Sequence, residues 1–169
     1  MGKYTVTEDN REEFTRKYLP DHTVRVCKVG EEPEGNEFPI YVALIKDGGL
    51  RFPFDPLLVR FINHTRMPLQ ELDLNTVRII LGVSRLNHLL GLDLGLDELF
   101  YCYCVVDSQH GYYLKSRPKS PSLVVALPTS NKGKLKEIIM VFGTISSIPD
   151  VEVPMSFDRP GTSPFVSRY

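Results

Sequence analysis

Apolar residues recur at helical spacing through the centre of the chain. Asp55 suits an N-cap and Pro56 suits the first position of a helix. An apolar stripe then follows, formed by Leu57, Leu58, Phe61 and Ile62. The pattern predicts a first central helix that begins at Pro56.

A second, longer helix is predicted after Pro68, with Asn75 as its cap and Gly91 as its stop. Its apolar stripe has i, i+4, i+7, i+11 spacing and consists of Ile79, Val83, Leu86 and Leu90. A third helix is expected to begin near Asp97, with one apolar side formed by Leu96, Leu99, Phe100 and Tyr103. The centre of the chain is therefore predicted to hold three helices.

Shorter apolar runs on either side of the centre favour β-structure. A helix is expected within residues 7–19, ended by Pro20. Strands are predicted at residues 23–29, 38–45, 112–114, 123–127 and 138–142, with a turn at residues 117–121. Asn131 and Gly133 lie in a turn at residues 130–133 and tolerate positive φ, which predicts an antiparallel hairpin between strands 123–127 and 138–142. Val124 and Ile139 should then face the core or its edge.

These elements predict an α+β fold, with about three central helices packed against short antiparallel strands and a C-terminal β-hairpin. Residues 1–143 are expected to form one globular domain. Residues 144–169 contain Pro149, Pro154, Pro160 and Pro164 and no periodic apolar face. We therefore expect a loosely ordered tail there.

Composition narrows the class of protein. The chain has 169 residues, of which 42% are hydrophobic and 24% charged, and this is the composition of a globular protein. The formal net charge of -1 argues against a strong nucleic-acid binder that ignores sequence. The three cysteines have irregular spacing and do not form a disulfide framework, so an intracellular location is expected. No apolar run resembles a signal peptide or a membrane span.

Residue types that perform catalysis or bind metals do not form a recognisable arrangement. Cys102 and Cys104, with His110, invite a zinc interpretation, but zinc sites pair cysteines as C-x2-C and a fourth ligand is missing. Core packing explains the two cysteines better. Residues 131–134 lack the upstream glycine of a phosphate-binding loop, and residues 107–110 are a surface turn rather than a catalytic triad. We expect no catalytic residues, cofactor, metal or small-molecule substrate.

Basic residues cluster in two β-rich segments and form the one candidate binding set. If the segments are neighbours, they give a single patch consisting of Lys115, Arg117, Lys119, Lys132, Lys134 and Lys136. Tyr112 and Tyr113 lie nearby and could stack on bases. The alternative, favoured by the near-neutral charge, is an ordinary solvated hairpin face.

Five short blocks follow one another at residues 47–56, 69–75, 96–100, 111–113 and 128–133. They include Gly-Leu-Arg-Phe-Pro at 49–53, Gly-Tyr-Tyr at 111–113 and Ser-Asn-Lys-Gly at 130–133. In type and order they resemble the gypsy-type transposase domain of plant genomes, over roughly residues 20–143. The chain departs from that pattern after Gly133, where the family has Trp-Lys and this chain has Lys134-Leu135 and no Trp at all. A long coiled-coil region typically follows the domain in that family, and residues 144–169 do not show its periodic apolar pattern.

The resemblance implies descent from a plant retrotransposon-like reading frame, and it does not imply catalysis. Transposases and integrases need three carboxylates that hold two metal ions. The acidic residues here, such as Asp47, Asp55, Asp73 and Asp97, are explained as turn and cap residues. The sequence therefore predicts a non-enzymatic interaction or structural module that binds a protein partner or itself. The alternative is a nucleic-acid-binding module that uses the basic hairpin.

Overall fold

The computed structural model describes residues 5–28, 31–108, 111–128 and 136–155. Its helices are α1 (Arg11–Tyr18), α2 (Val42–Lys46), α3 (Pro56–Thr65), α4 (Leu74–Leu90) and α5 (Leu96–Cys102), with a 3-10 turn at Leu69–Glu71. Its strands are β1 (Thr23–Val26), β2 (Phe38–Tyr41), β3 (Tyr103–Ser108), β4 (Gly111–Ser116) and β5 (Ile138–Phe142). Helices and antiparallel sheets are both present, which confirms the predicted α+β class.

Strands from distant parts of the chain form a three-stranded antiparallel sheet in the order β1–β5–β2. Val141 faces Val24 of β1, and Ile139 faces Ile40 of β2. Ile139, Met140 and Val141 are buried in this central strand. The expectation that Ile139 faces the core is therefore confirmed.

The predicted C-terminal hairpin is wrong, because β5 pairs with β1 and β2 and residues 123–127 do not form a strand. Ala126 has a positive φ of 59°, which an extended strand does not accommodate. The backbone N–H of Val124 donates instead to the Tyr103 hydroxyl at 3.2 Å. Val124 is half-buried, and the predicted turn at 130–133 lies outside the described residues.

The second sheet is a local hairpin of β3 and β4. The predicted strand at 112–114 is confirmed as part of β4, whereas β3 was not predicted. The hairpin is anchored on the first turns of α4. The backbone N–H of Asp73 donates to the Tyr112 carbonyl at 2.8 Å, and the Leu114 N–H donates to the Thr76 hydroxyl at 3.0 Å.

Helix boundaries follow the capping residues closely. Asp55 caps α3 by accepting a hydrogen bond from the Leu57 N–H, as predicted. In α4 the cap is Asp73 rather than Asn75, whose N–H donates to the Asp73 carboxylate at 2.7 Å. Gly91 ends α4 in the left-handed conformation, as predicted. The predicted strand at 38–45 ends at Tyr41, and its second half is α2.

The expected loose tail is wrong for residues 144–155. Ile145, Ile148, Val151 and Val153 pack against the hydrophobic core. The Phe54 N–H donates to the Ile145 carbonyl at 2.6 Å, so the segment is also tied to the chain before α3. Half-buried aliphatic residues at spacings of two and three offset the effect of the prolines. Residues 156–169 lie outside the described part of the chain.

Candidate interaction surfaces

Four of the six basic residues of the predicted patch lie in the described part of the chain. Lys115 lies on β4 and Lys136 just before β5, and these strands belong to different sheets. Arg117 and Lys119 lie in the turn after β4, where the predicted turn is confirmed. Lys132 and Lys134 are outside the described residues. Among the described residues, the strands that carry or adjoin Lys115 and Lys136 are therefore not paired with each other.

Arg117 supports the local structure with part of its guanidinium. Its Nε–H donates to the carbonyls of Phe100 at 2.9 Å and Tyr103 at 3.2 Å. Its backbone N–H donates to the Cys102 carbonyl at 2.8 Å. These carbonyls end α5, where no further helical turn follows to use them. Arg117 thus joins the basic turn to the end of α5.

The basic turn and the end of α5 line a shallow, open depression of about 530 Å³. Six residues line it: Phe100, Tyr101, Arg117, Pro118, Lys119 and Ser120. The Tyr101 side chain is 72% exposed, and Lys119 is exposed as well. The depression offers an aromatic ring beside two cationic groups, a combination that suits an anionic ligand with a flat ring.

A second surface lies at the C-terminal end of α4. Leu89, Leu90 and Leu92 are 60%, 64% and 44% exposed, and we call these three residues the leucine tip. Asn87 fixes the loop that follows, since its side chain donates to the Leu94 carbonyl at 2.8 Å and accepts from the Leu94 N–H at 2.9 Å. The leucines thus lie on an ordered helix end and on a loop that two hydrogen bonds hold in place.

Sequence reasoning missed the leucine tip because Leu90 continues the apolar stripe of α4. That stripe predicted a core position for Leu90, and the structure exposes it. One signal was present in the sequence. Leucines also stand at positions 92, 94 and 96, after the Gly91 stop, and this is more apolar surface than one helix face can bury.

Two of the acidic residues predicted to be turn and cap residues do cap helices. Asp55 and Asp73 accept hydrogen bonds from backbone N–H groups at the starts of α3 and α4. Among the described residues, no group of three or more His, Cys, Asp or Glu is arranged to hold a metal ion. Cys102 is buried in the core, in line with the core-packing interpretation, and His110 lies outside the described residues.

The marked pKa shifts also have structural causes. Arg25 makes a two-point contact with Glu37, at 2.8 Å from Nε and 2.6 Å from Nη2. That hydrogen bonding lowers the pKa of Glu37. A backbone hydrogen bond from Lys28 and the charge of Arg25 lower the pKa of Glu31. Both glutamates fasten an acidic loop to β1, and neither has the raised pKa of a general acid.

Within the described ranges, none of the helices is long and apolar enough to span a bilayer. No family model, curated protein or solved structure matches the chain.

Proposed function

We propose that this chain is a non-enzymatic protein-interaction module whose contact surface is the leucine tip. The observation that carries the proposal is the exposure of Leu89 and Leu90 in the last turn of α4 and of Leu92 in the loop that follows it. Single exposed leucines are ordinary, whereas a contiguous apolar group of a few hundred Å² often marks an interaction site. Burial of such a group gains roughly 25 cal/mol per Å² of apolar surface.

A rigid surface lowers the entropic cost of binding, and the leucine tip is fixed on both sides. Gly91 closes α4 with its N–H on the Asn87 carbonyl, and Asn87 also holds Leu94. The backbone that carries these side chains is already ordered, so a partner that covers them costs little further conformational entropy. The leucines are therefore better suited to recognition than the same residues on a loose loop.

The proposal includes descent from a plant retrotransposon reading frame, which rests on the sequence resemblance, and an intracellular location. Cys27, Cys102 and Cys104 are free thiols, which suits a reducing compartment. Metal-dependent cleavage of DNA or RNA that is lost on replacing one acidic residue by alanine would overturn the non-enzymatic part.

The test is affinity capture from plant extract, with and without nuclease, using wild type and two variants. Leu89→Gln/Leu90→Gln removes the apolar contact while keeping residues of similar helix propensity. Val125→Gln is the matched control, because Val125 is 75% exposed and lies outside the tip. We expect protein partners that survive nuclease, are lost with the double variant and are kept with the control. Equal capture by all three chains contradicts the proposal.

A second candidate function is nucleic-acid binding at the depression beside the basic turn. It is favoured by the exposed Tyr101 ring next to Arg117 and Lys119, with Lys115 on the adjoining strand. Phosphates would contact the cations, and a base would stack on the ring. This version of the interface uses three of the six basic residues of the sequence prediction.

Fluorescence anisotropy with a labelled single-stranded oligonucleotide tests this second candidate. Binding should weaken steeply with salt and with Lys115→Ala/Lys119→Ala, because each phosphate contact releases counterions. Lys136→Ala is the control, since Lys136 adjoins the other sheet. Absence of binding at tens of micromolar protein in low salt would remove this candidate.

A further inference from the structure

We propose that the partner of the leucine tip is a second copy of this chain, in a weak dimer with two-fold symmetry. The inference rests on the proposed function and names its partner. It depends on the charges on either side of the tip. Those charges make the surface complementary to itself.

The positive side of the leucine tip is set by Arg85. Arg85 lies four residues before Leu89, so the two side chains project from the same face of α4, one turn apart. Arg85 is exposed. The apolar tip therefore has a guanidinium along one flank.

The negative side is set by the loop after α4. Asn87 is two positions after Arg85, which turns it about 200° around the helix axis, to the opposite face. The two hydrogen bonds between Asn87 and Leu94 hold the returning loop on that face. Asp93, next to Leu94 in that loop, is exposed, and α5 follows with the exposed Asp97 in its first turn.

Among the described residues, neither flanking charge forms an ion pair. The ion pairs among the described residues join Arg11 to Glu8 and Arg25 to Glu31 and Glu37. Arg85 and Asp93 belong to none of them. We infer that both charges are accessible to a partner and lie at opposite edges of the apolar group.

A two-fold axis would bring together the opposite charges that lie apart on the surface of one chain. In such an interface residue i contacts j and j contacts i. If two leucine tips meet across the axis, Arg85 of each copy can lie opposite Asp93 of the other, and the two ion pairs form at the rim. An unrelated partner would need its own apolar group with the opposite charge order, whereas a second copy has one by symmetry.

The size of the apolar group sets the expected strength. A standard stable interface buries about 800 Å² on each partner. Three partly exposed leucines supply a few hundred Å² at most. We therefore expect a weak dimer that depends on concentration and on salt, since rim charges are screened.

Sedimentation equilibrium of the full chain over a range of concentrations tests the dimer. The wild type should approach twice the monomer mass as its concentration rises, and Val125→Gln should behave in the same way. Leu89→Gln/Leu90→Gln should stay monomeric. Arg85→Asp and Asp93→Arg should each weaken dimerisation about tenfold at low salt, because each places two like-charge pairs at the rim.

The charge swap is the decisive variant. Arg85→Asp/Asp93→Arg restores both opposite pairs, so it should dimerise nearly as well as the wild type, which a simple loss of folding would not allow. A swap no better than the single variants overturns the arrangement. A wild type that stays monomeric at all concentrations overturns the dimer. The proposed function then stands only if capture of other proteins still requires Leu89 and Leu90, and it fails as well if capture is unaffected.

Discussion

The two ends of α4 have similar apolar content and opposite surroundings. All six buried residues of the helix lie in its first ten positions, and none lies in residues 84–90. The helix contacts α2, α3 and β4. The last two turns carry Leu89 and Leu90 into solvent. Apolar side chains thus stabilise the fold at one end of the helix and remain available for a partner at the other.

The largest effect is expected at Ile80, a fully buried residue in the first part of α4. Ile80→Ala leaves a cavity in the core and should lower the free energy of unfolding by about 2–5 kcal/mol. Chemical denaturation at low protein concentration measures the change. A loss as small as that of a surface residue would mean that this part of α4 is not packed as described.

A somewhat smaller effect is expected at Thr76, whose hydroxyl accepts the hydrogen bond from the Leu114 N–H. Thr76→Val keeps the shape and leaves that buried N–H without its partner, at a cost of about 1–3 kcal/mol. Thr76→Ser is the control, because it retains the hydroxyl and should recover part of the loss. If valine and serine are equivalent, the hydrogen bond does not anchor the β3–β4 hairpin on α4.

Gly82 lies near the boundary between the two parts of the helix, where residue 124 crosses it. A Cβ at Gly82 would lie 2.7 Å from Cγ2 of Val124. Alanine is favoured over glycine inside a helix by about 1 kcal/mol. That gain is the same in both backgrounds, so any difference between them reports the Val124 contact, and Gly82→Ala should be about 0.5–3 kcal/mol more favourable in a Val124→Ala background than in the wild type. Additive unfolding energies in this double-mutant cycle would show that Val124 does not pack on the helix.

The smallest effect on stability is expected at Leu90. Leu90→Gln should change the free energy of unfolding of the monomer by less than about 0.5 kcal/mol, because the side chain is already exposed. The same melts used for Ile80→Ala measure it. A loss comparable to that of Ile80→Ala would remove the contrast between the two ends of α4.

The sequence predicted what local chemistry controls. Asp55 and Pro56 start α3, Gly91 ends α4, and the α+β class follows from the two periodicities. It failed where strand pairing depends on distant segments. β5 was assigned the nearest apolar run, residues 123–127, yet its partners are β1 and β2, more than a hundred residues earlier in one case. When several apolar strands are available, their sequences alone do not specify which strands pair.

The candidate surfaces were less predictable for a related reason. The stripe from Ile79 to Leu90 is continuous in the sequence, and only the positions of α2, α3 and β4 show where burial stops. The basic residues were found as types, but their grouping depended on the incorrect hairpin. Tyr101 was not singled out, because nothing local shows that the helix end beside it meets the basic turn.

The most direct test of the account compares thermal unfolding midpoints of the wild type and Leu89→Gln/Leu90→Gln at several chain concentrations. Association with the folded state raises the midpoint by mass action. We predict a wild-type midpoint that rises with concentration and a variant midpoint that stays constant at the wild type's low-concentration value. A variant midpoint several degrees below the wild type at the lowest concentration would show that the leucines serve folding. Two equal midpoints that do not change with concentration would contradict self-association.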